Sequence, residues 1–188
     1  MKKVIIILVG FLLLQAPVHA QKWSVQTNLL DWLSLGTANL EAGMSLSQHF
    51  SLMAGARYNP WEFTTESPAS VIRNQQTTGY VGLRYWTWYV NSGFWMGLKG
   101  QYMNSFSNTG IWRAALKEGK NGWGGGLSMG YTFMLHKHLN LEAGLGVWAV
   151  HFQEYGFYSS PAKTFVRQEG PAFFIYPDMI SLSLVYVF

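Results

Sequence analysis

Five charged residues lie inside segments that are otherwise apolar at every second position: Glu41, Arg57, Arg84, Lys99 and Glu142. Two carboxylates and three cations that meet inside one domain could serve as a catalytic acid pair or as a proton path. They could also neutralise one another in an ion-paired, hydrogen-bonded core, because a buried charge is costly when it is left alone. No motif positions a substrate beside them, so we predict a structural ionic plug and no catalytic residue.

His151 belongs to the most enzyme-like group of the chain. Glu154, Ser159 and Ser160 follow it, and a His with a Ser and an acid can activate a nucleophile, as in small barrel enzymes that modify lipid A. No spacing rule links these residues, and His151 shares its strand face with the apolar Val147. We predict a polar surface residue and keep the lipid-modifying enzyme as the alternative function.

Cofactor chemistry has little support in the residue types. The chain has no cysteine, which excludes cysteine-based zinc sites and disulfides. His49, His136 and His138 fall at short turns, where no third metal ligand is indicated. The net charge is +4 for the full chain and +2 once Lys2 and Lys3 are removed, which is no nucleic-acid footprint. We therefore predict no metal, no cofactor and no nucleic-acid partner.

The elements that must position these residues are β-strands. Outside the first twenty residues no apolar run is long enough for a membrane helix, so a chain that crosses a bilayer must do so as a closed barrel. Alternation of apolar and polar residues predicts eight strands. They are Trp23–Leu30, Ala38–Ser47, Phe50–Trp61, Thr77–Val90, Gly93–Met103, Trp123–Leu135, Leu139–Phe152 and Asp178–Phe188.

One face of each predicted strand is apolar. In the seventh strand, Leu141, Leu145 and Val147 oppose Asn140 and Glu142. Three strands also carry aromatic residues eight positions apart on the apolar face, which rise about 20 Å at 3.3 Å per residue and roughly 40° of tilt. These pairs are Phe50 and Tyr58, Phe94 and Tyr102, and Trp123 and Tyr131. We predict an all-β, eight-stranded, antiparallel up-and-down transmembrane barrel, with a soluble lipocalin-like barrel as the alternative.

Residues 1–20 have the pattern of a cleavable secretory signal. Lys2 and Lys3 precede an apolar run from Val4 to Leu14, and Val18 to Ala20 forms a small-residue end before Gln21. The apolar run is too short to span a bilayer comfortably as an anchor. We predict a signal peptide over 1–20 and the barrel over 21–188, in the outer membrane.

Short and long connections alternate along the chain, which predicts periplasmic turns and extracellular loops with both termini in the periplasm. The short turns lie near 48–49, 91–92 and 136–138, and the longer connections at 62–76, 104–122 and 153–177, with a shorter one at 31–37. Basic residues of the long loops could contact lipopolysaccharide phosphates, and such loops can also dock a surface or fimbrial partner. They are Arg113, Lys117, Lys120, Lys163 and Arg167.

An eight-stranded barrel is only wide enough to be filled by its own side chains. Besides the charged set, the interior is expected to hold Trp86, Trp88 and Trp148, so we predict no open pore. The last strand ends with Tyr186 and Phe188 at the periplasmic end. These two aromatics resemble the signal that the barrel-assembly machinery recognises.

The sequence resembles a family of small outer-membrane β-barrel proteins of Bacteroidota known as a domain of unknown function. The motifs that carry the resemblance are Thr27–Leu30 (TNLL), Asn59–Trp61 (NPW), Leu83–Trp86 (LRYW), Gly122–Gly126 (GWGGG) and Asn140–Gly144 (NLEAG). The resemblance implies an eight-stranded barrel with no established enzymatic activity. Relatives carry a cysteine pair near the position of Tyr155, which this chain lacks. We predict a non-enzymatic role in envelope structure or in interactions made by the loops.

Overall fold

A computed structural model describes residues 22–64, 71–108, 116–159, 164–166 and 171–188. The predicted signal peptide, residues 1–20, lies outside the described residues. So do Ser160 and the loop cations Arg113, Lys163 and Arg167.

Eight antiparallel strands close into a barrel, so the predicted architecture is confirmed. Each strand pairs with the next along the chain, and the last pairs with the first from Ser24 opposite Val187 to Asn28 opposite Ser183. Two short strands, β4 (Glu62–Thr64) and β9 (Thr164–Val166), extend the sheet beside β5 and β8. The barrel strands are β1 (Trp23–Asn28), β2 (Ala38–Ser45), β3 (Phe50–Asn59), β5 (Val71–Trp86), β6 (Gly93–Asn108), β7 (Leu116–His136), β8 (Leu139–Ser159) and β10 (Ala172–Val187).

Three of the predicted long loops are largely strand, which corrects their predicted bounds. Much of the connections predicted at 62–76, 104–122 and 153–177 belongs to β5, β6, β7, β8 and β10. The ladder continues there, with Ser105 opposite Gly119 and Lys120 opposite Glu154. The alternation of apolar and polar residues ends before the backbone hydrogen-bond ladder does, because an apolar face is needed only along the body of the barrel.

The first strand ends earlier than predicted. β1 stops at Asn28, and a five-residue helix, α1 (Leu29–Leu33), follows it. The Asn28 side chain accepts a hydrogen bond from the Leu30 amide at 3.2 Å, as a helix N-cap does. Among the described residues no helix has the length and apolarity needed to cross a membrane.

The short connections and both described chain ends lie together at one end of the barrel, which we call the turn end. There the Phe188 amide donates to the Trp23 carbonyl and the Val187 amide donates to the His138 carbonyl, each at 2.9 Å. The opposite end, which carries α1 and the longer connections, is the loop end.

The outer face is apolar and exposed, and the inner face is mixed and buried. Exposed large side chains ring the barrel wall: Leu40, Leu83, Leu98, Leu127, Leu145 and Ile180. Trp86 and Trp148 lie inside as predicted, but Trp88 is 61% exposed. Trp88 follows the end of β5, in the turn, so the strand parity that turns Trp86 inward no longer applies to it. Trp95 on β6 is the further buried tryptophan.

Candidate functional site in the barrel lumen

The guanidinium of Arg84 on β5 joins two buried carboxylates. Its Nη2 lies 2.8 Å from Glu41 Oε1, and its Nη1 lies 3.1 Å from Glu142 Oε1. Its Nε donates to the sulfur of Met53 at 3.2 Å, and its Cζ lies 4.2 Å from the centroid of the Trp95 ring. Strands β2, β3, β6 and β8 thus all contribute a group around one cation, which ties distant parts of the wall together across the lumen.

Neutral donors complete the coordination of both carboxylates. Gln26 Nε2 donates to Glu41 Oε1 at 2.9 Å, and the Tyr80 hydroxyl donates to Glu41 Oε2 at 2.8 Å. The Thr132 hydroxyl donates to Glu142 Oε2 at 3.0 Å. A buried ion pair is tolerated when further hydrogen bonds satisfy its remaining oxygens, and these three donors meet that condition.

The other two predicted cations both lie close to the Tyr80 ring. The Nζ of Lys99 is 4.9 Å from the centroid of its ring, and the Cζ of Arg57 is 5.8 Å from it. Arg57 also forms an ion pair with Asp31 of α1, with 3.1 Å between Nε and Oδ2. The structure therefore brings all five predicted residues into one lumen. Glu41, Arg84 and Glu142 form the Arg84 cluster, Arg57 pairs with Asp31, and Lys99 lies against the Tyr80 ring.

Asp31 is the functional residue that the strand pattern missed. With it, the described residues of the lumen include three cations, Arg57, Arg84 and Lys99, and three carboxylates, Asp31, Glu41 and Glu142, whose charges balance. Asp31 lies in a predicted connection, and its place in the sequence does not indicate that α1 turns its side chain inward. Tyr80 and Trp95 could have been found, because they share strand parity with Arg84 and Lys99 respectively.

Inward-facing glycines make room for the large inward side chains. A Cβ on Gly130 would lie 2.6 Å from the Trp95 ring, and one on Gly124 would lie 2.7 Å from Trp148 Nε1. A Cβ on Gly55 would meet the Tyr80 ring at 2.5 Å. The glycine-rich segment of β7 is thus explained by the need to pack large rings inside a narrow barrel.

The turn end of the lumen is closed by two tryptophans. The Trp86 and Trp95 rings lie 6.2 Å apart between centroids, and Trp86 Nε1 donates to Ser51 Oγ at 2.9 Å. At the same end, Asn140 Nδ2 donates to the carbonyl of the turn residue Asn91 at 2.9 Å.

A small cavity of about 10 Å³ lies beside Arg57 and Glu41. It has room for about one water molecule.

The lumen residues hold buried charges in ion pairs and hydrogen bonds. Each carboxylate of the Arg84 cluster already binds a cation and at least one neutral donor. Within the described residues no group of three or more His, Cys, Asp or Glu side chains is arranged to hold a metal ion. The lumen residues therefore have the geometry of a rigid internal brace.

Comparison with family models matches residues 4–188 to a family described as a protein of unknown function, DUF3575. The match covers almost the whole chain. The chain belongs to the DUF3575 family. Comparisons with curated proteins and with solved structures found no match.

In this DUF3575 protein, His151 lies on the outer wall. It is exposed, and its strand neighbours in register are Trp123 and Phe173. The structure thus places it outside the lumen, away from the charged cluster. Ser159 ends β8, eight residues further along the strand.

The aromatic residues at the carboxyl end of this DUF3575 protein pack together at the turn end. The rings of Tyr186 and Phe188 lie 4.9 Å apart and nearly perpendicular, and Tyr186 also stacks on His138 at 6.0 Å. Both side chains alternate with the buried Val185 and Val187, so the aromatic pair lies on the outer face.

Proposed function

We propose that this DUF3575 protein is a non-enzymatic outer-membrane β-barrel that acts in envelope structure or through interactions made by its loop end. One observation carries the proposal: large apolar side chains are exposed along the wall, while Glu41, Arg84 and Glu142 are buried inside. A soluble barrel needs the opposite arrangement, because a continuous exposed apolar belt aggregates in water. Lipid on the outside makes this distribution favourable.

The orientation follows from the two ends of the barrel. The turn end carries the short connections and both described chain ends, and in outer-membrane barrels the short turns are periplasmic, so we propose that this end faces the periplasm. The loop end then faces the medium, where it would meet lipopolysaccharide or a surface or fimbrial partner. Lys120 is the predicted loop cation whose side chain is described, and its Nζ pairs with Glu118 at 2.9 Å.

Cysteine labelling tests location and orientation together, because the chain has no native cysteine. The exposed Pro60 lies at the loop end and the exposed Gln48 lies in a turn, so Pro60→Cys and Gln48→Cys form a matched pair. On intact cells, a membrane-impermeant thiol reagent should label Pro60→Cys and spare Gln48→Cys. Equal labelling of the two variants, or their recovery in a soluble fraction, would count against the proposal.

We expect no stable conductance from the barrel. Trp86, Trp95 and the Arg84 cluster fill the lumen, and eight-stranded barrels enclose only enough space for side chains. Planar-bilayer recordings of the purified protein should therefore match protein-free bilayers, with a porin as the positive control. Steady open channels would show that the interior packing opens in the membrane.

Phe188→Ala should reduce the amount of assembled barrel in the outer membrane. We propose that Tyr186 and Phe188 form the signal read by the barrel-assembly machinery, and the Phe188 ring packs edge-on against Tyr186. Heat-modifiable migration on gels measures the folded fraction. Val187→Ala is the matched control for side-chain loss at this end, because Val187 points into the lumen. Normal assembly of Phe188→Ala would contradict a role of this aromatic pair as an assembly signal.

A further inference from the structure

The wall of the barrel is incomplete beside β1. With six residues, β1 rises roughly 15 Å at 3.3 Å per residue and about 40° of tilt, whereas the belt between the aromatic pairs rises about 20 Å. β10 continues ten residues beyond Leu182 to Ala172, and among the described residues this stretch has no strand partner on the β1 side. The helix α1 stands in the wall where β1 would have continued.

The helix presents different chemistry to its two sides. Leu29, Trp32 and Leu33 are exposed, with Leu33 at 82%, and in the proposed function they face lipid. Asp31 points the other way and pairs with Arg57 inside the barrel. In place of a backbone ladder, the Leu182 amide of β10 donates a hydrogen bond to Asn28 Oδ1 at the start of the helix, at 3.0 Å.

Behind the helix lies the small cavity lined by Arg57, Asp31, Asn28, Ser181 and Tyr80. Asn28 and Ser181 are more than nine-tenths buried. Their Asn28 Nδ2 and Ser181 Oγ atoms have no hydrogen-bond partner among the described residues. Buried polar atoms are normally satisfied, so two unsatisfied groups beside a cation mark a place where a polar ligand would gain contacts.

We propose that α1 is a lateral gate and that Arg57 behind it binds the carboxylate of a long-chain fatty acid entering from the bilayer. Outward movement of α1 takes the Asp31 carboxylate out of its ion pair with Arg57, and another carboxylate can then take the same place beside the buried guanidinium. The position is now occupied by a carboxylate, so a carboxylate head group is the ligand that replaces it with the same geometry. This inference rests on the proposed membrane location.

The path for the acyl chain runs along the outer face of β10. Phe173, Ile175 and Ile180 are among its most exposed side chains, and all three precede Leu182, on the stretch without a strand partner on the β1 side. The opening is one helix wide, about 10 Å, which suits a single chain. The proposal thus commits to a single-chain amphiphile from the membrane as the occupant.

Spin-labelled stearate tests the site in phosphatidylcholine vesicles that contain the full-length protein. We expect an immobilised component in the electron paramagnetic resonance spectrum that the spin-labelled methyl ester lacks and that acetate does not displace. Arg57→Gln should remove this component, whereas Lys120→Gln should retain it because Lys120 pairs with Glu118 outside the lumen. Asp31→Asn should increase stearate affinity roughly fivefold, since it removes the competing carboxylate of a partly buried ion pair.

A second measurement follows the gate itself and does not depend on the folding of Arg57→Gln. A spin label on Leu33→Cys in α1 should become more mobile when oleate is added, while a label on the exposed Leu40→Cys of β2 should not change. An immobilised component that persists in Arg57→Gln, equal behaviour of the methyl ester, or a Leu33 label indifferent to oleate would overturn the gate. A protein that inserts into vesicles but fails these tests would leave the proposed function standing, whereas failure to insert would contradict the proposed function first.

Discussion

Replacing Arg84 with methionine is expected to destabilise the barrel more than any other single change in the lumen. The substitution leaves Glu41 and Glu142 buried beside each other without the cation that lies 2.8 and 3.1 Å from them. Removing one partner of a buried ion pair typically costs about 3–5 kcal/mol. The temperature at which the heat-modifiable band shifts on gels should fall, and so should the urea midpoint of the protein folded in detergent.

Two matched variants separate the loss of charge from the loss of packing. Leu83→Met changes the neighbouring residue, which faces outward, and should leave the unfolding temperature almost unchanged. Adding Glu41→Gln and Glu142→Gln to Arg84→Met removes the orphaned charges, so the triple variant should recover part of the lost stability. If Arg84→Met unfolds at the wild-type temperature, the cluster does not brace the barrel.

Within the strands, parity was sufficient to predict which charged residues face inward, but it failed for Trp88, which lies beyond the end of β5. The period of two places Glu41, Arg84, Lys99 and Glu142 on the inner face of four different strands, and a barrel too narrow to hold bulk water brings such residues together. The alternating pattern could not say which charges pair. Which charged residues form ion pairs depends on how neighbouring strands are staggered around the barrel. The hydrogen-bond register sets that stagger, and the sequence of a single strand does not reveal it.

The helix α1 was not predictable from the same pattern. The apolar alternation of β1 breaks down at Asp31, soon after the segment Leu29–Leu33 begins. A helix of five residues is also too short to show a helical period. Its position depends on contacts with other strands, such as the hydrogen bond that the Leu182 amide of β10 donates to Asn28 Oδ1. Asp31 therefore contributes a lumen charge from a connection, and strand alternation does not predict the inward residues of a connection.

The strand extensions at the loop end escaped prediction for the opposite reason. Along β7 and β8 the ladder runs on through Lys120 opposite Glu154, where polar and charged residues interrupt the apolar alternation of the sequence. Hydrophobic periodicity reports burial against one surface and not backbone pairing itself. The same distinction explains why aromatic residues such as Trp123 and Tyr131 predict the ends of an apolar belt but not the ends of the strands.

Leu127→Arg should sharply reduce insertion of the barrel into membranes. Leu127 is exposed at the middle of the β7 outer face, four residues from Trp123 and four from Tyr131. An arginine on the lipid face of a barrel costs about 2–4 kcal/mol at the bilayer midplane and about 0–1 kcal/mol near the interfaces. The fraction of protein that folds into vesicles, measured by heat-modifiable migration, should therefore fall.

Leu46→Arg provides the control for depth, because Leu46 is similarly exposed but follows β2 at the turn end. This variant should insert nearly as well as the wild type. The lipocalin-like alternative predicts a different outcome, since an exposed leucine replaced by arginine in water changes stability by less than about 0.5 kcal/mol at either position. A strong penalty at Leu127 together with none at Leu46 follows from a bilayer around the belt, whereas equal tolerance at both positions would mean that water surrounds it.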